Sequence, residues 1–144
     1  MIAALAEHIN EARGPFDRVL GWEATDVSTT SVRARVAVRE ELTQPYGLVH
    51  GGVFASIAES VASWATAVGA GEGYIAVGLS NATSFLRPVT HGTVHVSAER
   101  LHGGRTTWVW DVAFRDDAER LCAITRMTVA VREAPAQAEP LSGS

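Results

Sequence analysis

From Gly52 to Gly69 the chain spells a helix of about five turns that is apolar on nearly every face, built from Ala, Val, Ile, Phe and Trp. A helix of that kind is wrapped by other structure and does not lie on a surface. Gly69, Gly71 and Gly73 stop it. Glu59 is its one charge and the only Asp, Glu, Lys or Arg between Glu41 and Glu72, about two turns from the helix start. The expectation is therefore a buried carboxylate held near a helix N-terminus rich in unpaired backbone N–H groups. Glu59, three serines and a threonine within Val53 to Ala70 argue against a membrane span.

What wraps this helix is legible in period-two patterning. Trp108, Trp110, Val112 and Phe114 face one way, against Thr107, Asp111 and Arg115 on the other, and Val94, Val96 and Ala98 alternate likewise. Val32, Ala34, Val36 and Val38 mark a half-exposed strand over Ser31 to Arg39, after a weaker one near Trp22 to Val27. Strands are expected over Tyr74 to Leu86, Thr93 to Leu101, Thr106 to Arg115 and Leu121 to Val131, with turns at Arg87-Pro88, Gly103-Gly104 and Asp116-Asp117. A short amphipathic helix over Ile2 to Ala12, with Ile2, Leu5, Ala6 and Ile9 on one face, is ended by Gly14-Pro15. The order β-β-α-β-β-β-β with hairpin-length late connections predicts an α+β domain, an antiparallel sheet curled round the central helix. Residues 1–133 form that single domain, and the Pro-, Ala- and Ser-rich stretch from Ala134 to Ser144 reads as a disordered tail.

A chain of 144 residues with a formal charge of −4 has no electrostatic footprint for nucleic acid. Cys122 stands alone, so no disulfide framework exists, and in a β-like run it reads as a small buried hydrophobe in a reducing compartment. Met1 to Arg13 lacks the basic start and uninterrupted apolar core of a secretory signal, and the expected location is the cytoplasm.

Gln44, the His50-Gly51-Gly52 run opening the helix, Glu59, and Ser63 four residues beyond it form a spaced set, supported downstream by Asn81 to Pro88 and His102-Gly103-Gly104-Arg105. This set resembles the hotdog-fold acyl-CoA thioesterases, in the branch of the phenylacetate-pathway, Arthrobacter-type 4-hydroxybenzoyl-CoA and 1,4-dihydroxy-2-naphthoyl-CoA thioesterases, over nearly the whole chain. The resemblance implies a sheet wrapped round the helix and subunits paired sheet edge to edge. It further implies active sites at the subunit interface, in a homodimer or a dimer-of-dimers homotetramer. A sheet edge left open by the helix wrap points to a partner as well.

Thioester hydrolysis needs a carboxylate that attacks the carbonyl or draws a proton from water, and Glu59 suits both roles. Glycines at the helix start let a carbonyl approach backbone N–H groups that stabilise an oxyanion. By resemblance the Gly51 N–H is the principal donor. His50 either caps the turn or polarises the thioester oxygen while neutral, and the Gln44 amide can bond the carbonyl or the attacking water. Ser63 shares a helix face with Glu59, and its hydroxyl either positions water or carboxylate or bonds back to the carbonyl of residue 59. Candidates for the CoA phosphates are Arg87, His91, Arg105, Thr106 and Thr107, all at turns of the β half. Trp64, Phe54 and Tyr46 are candidates to line an acyl pocket. His91 and His95 have neither helical spacing nor a third ligand, so no metal and no cofactor are expected. The reading is an acyl-CoA thioesterase acting on an aryl- or other bulky acyl-CoA, with no nucleic-acid or membrane partner. Its rivals are a hotdog acyl-CoA hydratase or dehydratase and a non-catalytic acyl-CoA binding protein.

Overall fold

The computed structural model describes residues 2–136, and the proposed tail beyond residue 136 lies outside them. Each alternating run is a strand: β1 (Glu23–Val27), β2 (Ser31–Ala37), β3 (Tyr74–Phe85), β4 (Thr93–Gly103), β5 (Thr107–Arg115) and β6 (Leu121–Glu133). They form one antiparallel sheet in the order β1-β2-β4-β5-β6-β3. The inward residues of β2, β4 and β5 are the alternating sets expected, Val32, Ala34 and Val36, then Val94, Val96 and Ala98, then Trp108, Trp110, Val112 and Phe114.

Against that face lies the long helix, α3 (Gly51–Ala70), burying Phe54, Ile57, Ala58, Val61, Ala62, Ala65 and Thr66. Its one polar core group is satisfied in series: Trp110 Nε1 donates to Thr66 Oγ1 at 2.9 Å, and that hydroxyl donates to the Ala62 carbonyl at 2.7 Å. Gly69 lets the sheet come close, since a Cβ there would stand 2.3 Å from the Trp108 ring. The helix is long and apolar enough to cross a bilayer, but its stripe is spent on the sheet. The expected arrangement, an antiparallel sheet curled round a long central helix, is present. The sheet covers one side, and the side bearing Ser56, Glu59, Ser60 and Ser63 opens onto a cleft.

The two sheet edges are treated differently. At β1, helix α1 (Ile2–Ala12) packs alongside with Ala6 and Ile9 buried. The Asn10 amide takes both outward backbone groups of Ala24, donating to its carbonyl at 2.8 Å and accepting from its N–H at 2.7 Å. Among the described residues nothing covers edge strand β3 in this way, and it carries exposed Tyr74, Ile75, Val77, Leu79 and Phe85. A second short helix, α2 (Pro15–Leu20), was not expected, because Gly14-Pro15 reads as a stop. The same pair is a start: proline fits the first helical turn, where its missing N–H costs nothing, and Gly21 closes the helix at φ +80°.

Candidate active site

The loop before α3 is organised by one side chain. Gln44 opens a turn through Pro45, Tyr46 and Gly47, whose N–H donates to the Gln44 carbonyl at 2.9 Å, and the Gln44 N–H donates to Leu48 at 2.9 Å. Gln44 Oε1 accepts from the Tyr46 N–H, so the amide oxygen is fixed inward and the NH2 is left as a donor. Tyr46 itself is 88% exposed at the loop tip and lines none of the clefts described here.

His50 is the N-cap of α3, its Nδ1 accepting from the Gly52 N–H at 2.8 Å. An accepting Nδ1 carries no proton, so this ring is held as an orienting cap with Nε2 outward. Among the described residues the Gly51 N–H donates to no acceptor, and the Phe85 ring packs over it so closely that a Cβ at residue 51 would lie 2.8 Å from Phe85 Cζ. Gly51, Gln44, Phe54, Phe85 and Arg87 line a cleft of about 450 Å³. It therefore offers two unused N–H donors at the positive end of a helix.

Glu59 lies elsewhere. With Ser56, Ser60, Ser63 and Trp64 it lines a separate cleft of about 550 Å³, closed by Phe16 and Asp17 of α2 and by Tyr74, Ile75 and Ala76 of β3. In the single chain Glu59 is exposed, which corrects the expected burial; it projects from the side of α3 that the sheet does not cover. Its carboxylate rests on the backbone of Gly78, where a Cβ would meet Glu59 Oε1 at 2.6 Å and Met127 Cε at 2.8 Å. Beside that glycine β3 has a bulge, the register shifting between Gly78 and Ser80. Sequence reasoning missed Gly78, though an isolated glycine inside an alternating strand is the signal for a bulge or a close approach. The helix hydroxyl that bonds back to the preceding turn is Thr66, and Ser63 faces the cleft with Glu59.

Carbonyl donors and carboxylate are thus not brought together in one chain. Eight residues separate Gly51 from Glu59, and at 1.5 Å per residue that is roughly 12 Å along α3, too far for one carbonyl carbon to touch both. The CoA candidates are divided as well. Arg87 donates its N–H to the Cys122 carbonyl at one end of β6, whereas the Thr106 carbonyl accepts from Val131 at the other, nine residues or about 30 Å away. Arg87 lines the Gly51 cleft, His91 lies beyond it with Nδ1 bonded to Thr90 at 3.0 Å, and Arg105, Thr106 and Thr107 stand at the opposite end. His95 bonds Asp117 at 2.8 Å, and among the described residues no three His, Cys, Asp or Glu side chains are grouped to hold a metal ion. Burial pushes the Cys122 thiol up, so it is packed and unreactive.

A family profile described as the thioesterase superfamily matches residues 46–123. A Mycobacterium tuberculosis protein named as an esterase is 41% identical over 112 residues, 76% of this chain and 80% of that one. The 1,4-dihydroxy-2-naphthoyl-CoA hydrolase of Listeria monocytogenes is 33% identical, covering 82% and 96%. The crystal structure of a thioesterase from Haemophilus influenzae superposes with a TM-score of 0.86 at 30% identity, covering 93% of this chain and 94% of that one. Matching sequence and matching architecture converge: this chain is a hotdog-fold thioester hydrolase and belongs to the thioesterase superfamily.

Proposed function

We propose that the protein hydrolyses aryl- or other bulky acyl-CoA thioesters at sites shared between two copies of the chain. The observation that carries this reading is the placement of the two clefts. The Glu59 cleft borders β3 at Tyr74 to Ala76, the Gly51 cleft borders it at Phe85, and the strand between them is an apolar edge left uncovered by the described residues. Antiparallel pairing of that edge with its own copy about a two-fold axis sets the Tyr74 end of one strand against the Phe85 end of the other. Each Glu59 cleft then meets the Gly51 cleft of the second copy, and the separation along α3 ceases to be an obstacle.

In such a site the thioester oxygen accepts from the Gly51 N–H and the Gln44 amide, both fixed before substrate arrives and both aimed at developing negative charge. Glu59 of the other copy either attacks the carbonyl carbon, expelling CoA thiolate and leaving an anhydride for water to open, or takes a proton from the water that attacks directly. Ser63, one turn on, positions water or carboxylate, and His50 holds the helix entry in shape. Arg87 and His91 from one copy, and Arg105, Thr106 and Thr107 from a different subunit, are assigned to the CoA phosphates. Water is the only co-reactant, and neither metal nor redox cofactor enters. The assembly is a homodimer or a dimer of such dimers, and the unreacted buried thiol of Cys122 fits a cytosolic setting.

The aryl preference draws on the aromatic lining of the Glu59 cleft and on the naphthoyl-CoA substrate in the name of the Listeria relative. A screen of aryl, short-chain and long-chain CoA esters with free-thiol detection tests it. Turnover with an aryl ester preferred supports the reading, and release of thiol from none of them refutes it.

A further inference from the structure

Part of the lining of the Glu59 cleft, Phe16 and Asp17, comes from α2, the helix that sequence reasoning passed over. Its Phe16 side chain is 61% exposed, and it lines the cleft together with Trp64, Tyr74 and Ile75. The cleft thereby combines Glu59 and three serines of α3 with the apolar side chains of Phe16, Trp64, Tyr74 and Ile75.

Helix α2 is held in place. Pro15 starts the helix, Gly21 ends it, and the Asp17 carboxylate accepts from Trp22 Nε1 at 3.1 Å. Arg39 reaches across from beyond β2, its guanidinium donating to the Leu20 carbonyl at 2.8 Å and to the Val19 carbonyl. A cation on the last carbonyls of a helix is the favourable polarity, and here it pins a segment of six residues too short to persist alone. An exposed aromatic on a clamped helix, lining the same open cleft as a carboxylate, is arranged to meet a ligand.

We infer that Phe16 is a specificity-determining residue, the face on which an aromatic acyl group stacks while Glu59 and Ser63 act on its carbonyl, with Arg39 as the positioning residue that fixes α2. The inference rests on the thioester-hydrolase reading and adds to it the element that selects the acyl group. Stacked aromatic contact favours a ring over a methyl group, so removing Phe16 lowers turnover of the ring-bearing substrate selectively.

The test compares kcat/KM for benzoyl-CoA and acetyl-CoA on the parent, Phe16→Ala, Phe16→Leu and Arg39→Ala proteins. Phe16→Ala is expected to lower the benzoyl-to-acetyl ratio by about tenfold or more. Phe16→Leu, which keeps an apolar side chain in the helix, is expected to lower it less, and Arg39→Ala to lower the ratio chiefly through KM for benzoyl-CoA. Turnover by the parent with an unchanged ratio in both Phe16 variants overturns this inference alone. Turnover of neither ester by the parent overturns the hydrolase reading and this inference with it.

Discussion

Replacing Gly78 by alanine puts one methyl group where the Glu59 carboxylate rests. The new Cβ would lie 2.6 Å from Glu59 Oε1 and 2.8 Å from Met127 Cε, so the carboxylate must retreat by about 0.8 Å to regain ordinary contact. Met127 is buried on β6 and has less freedom to move than the exposed acid. Two stability effects oppose each other. Alanine restricts the unfolded chain, a gain of about 0.4–1 kcal/mol, and crowding of a buried methyl costs roughly 1–3 kcal/mol. The net expectation is a fold weakened by about 1–2 kcal/mol and still intact. Activity should suffer more, because a catalytic group misplaced by about 1 Å can cost on the order of a hundredfold. Thiol-release kinetics and urea melts on the same preparations measure both quantities. A Gly78→Ala protein that folds and turns over within about threefold of the parent would show that Glu59 does not act from this position.

Glu59→Gln is expected to lower kcat at least about a hundredfold while leaving the urea midpoint unchanged, since the amide neither attacks nor accepts a proton and the position is exposed; similar steady-state rates would remove Glu59 from catalysis. Ser63→Ala should cost less than Glu59→Gln, because water can partly replace a positioning hydroxyl, and the reverse order at equal stability would exchange their roles. Asp117 titrates below its ordinary value of 3.8, chiefly because His95 hydrogen-bonds its carboxylate and the Thr93 N–H adds a second bond. A depressed carboxyl stabilises the fold above its unfolded value and loses that contribution as pH falls through the folded one. Melting temperatures of the parent and Asp117→Asn should therefore differ at pH 6 and converge well below pH 3.8, and a gap that persists there would assign the effect to packing.

Residues whose partners are close in sequence or fixed by period were legible. Apart from Val109, Thr107 to Arg115 alternates one large apolar residue with one polar or small one, which indicates both its strand character and its buried face. Glu59 and Gly51 stood out because a lone acid in an apolar helix and a glycine pair at its start are uncommon, whereas Gln44 and Ser63 were marked by the family resemblance. What sequence could not supply was which side of α3 the sheet leaves bare, so Glu59 was expected inside and stands in an open cleft. The roughly 12 Å of helix between Gly51 and Glu59 was readable from their spacing, but spacing alone does not say how donors and acid could reach one carbonyl. α2 was hidden because Gly14-Pro15 ends one helix and begins another, and its anchor, Arg39, lies about twenty residues away across the loop structure. Gly78 carried a readable signal, but its partner, the Glu59 side chain, is set by tertiary approach alone.

The central claim is that each active site takes its carboxylate from one copy and its carbonyl donors from another, and mixed oligomers test it directly. Gln44→Ala and Glu59→Gln proteins, each expected to be nearly inactive alone, are unfolded together, refolded, and assayed for thiol release from benzoyl-CoA. With a shared site, random pairing makes about half the dimers mixed and leaves one of their two sites with both Gln44 and Glu59 intact, so activity should return to about a quarter of the parent value. With a site built in one chain, every site carries one defect whatever its neighbour. A mixture no more active than the average of the two separate variants would contradict the account.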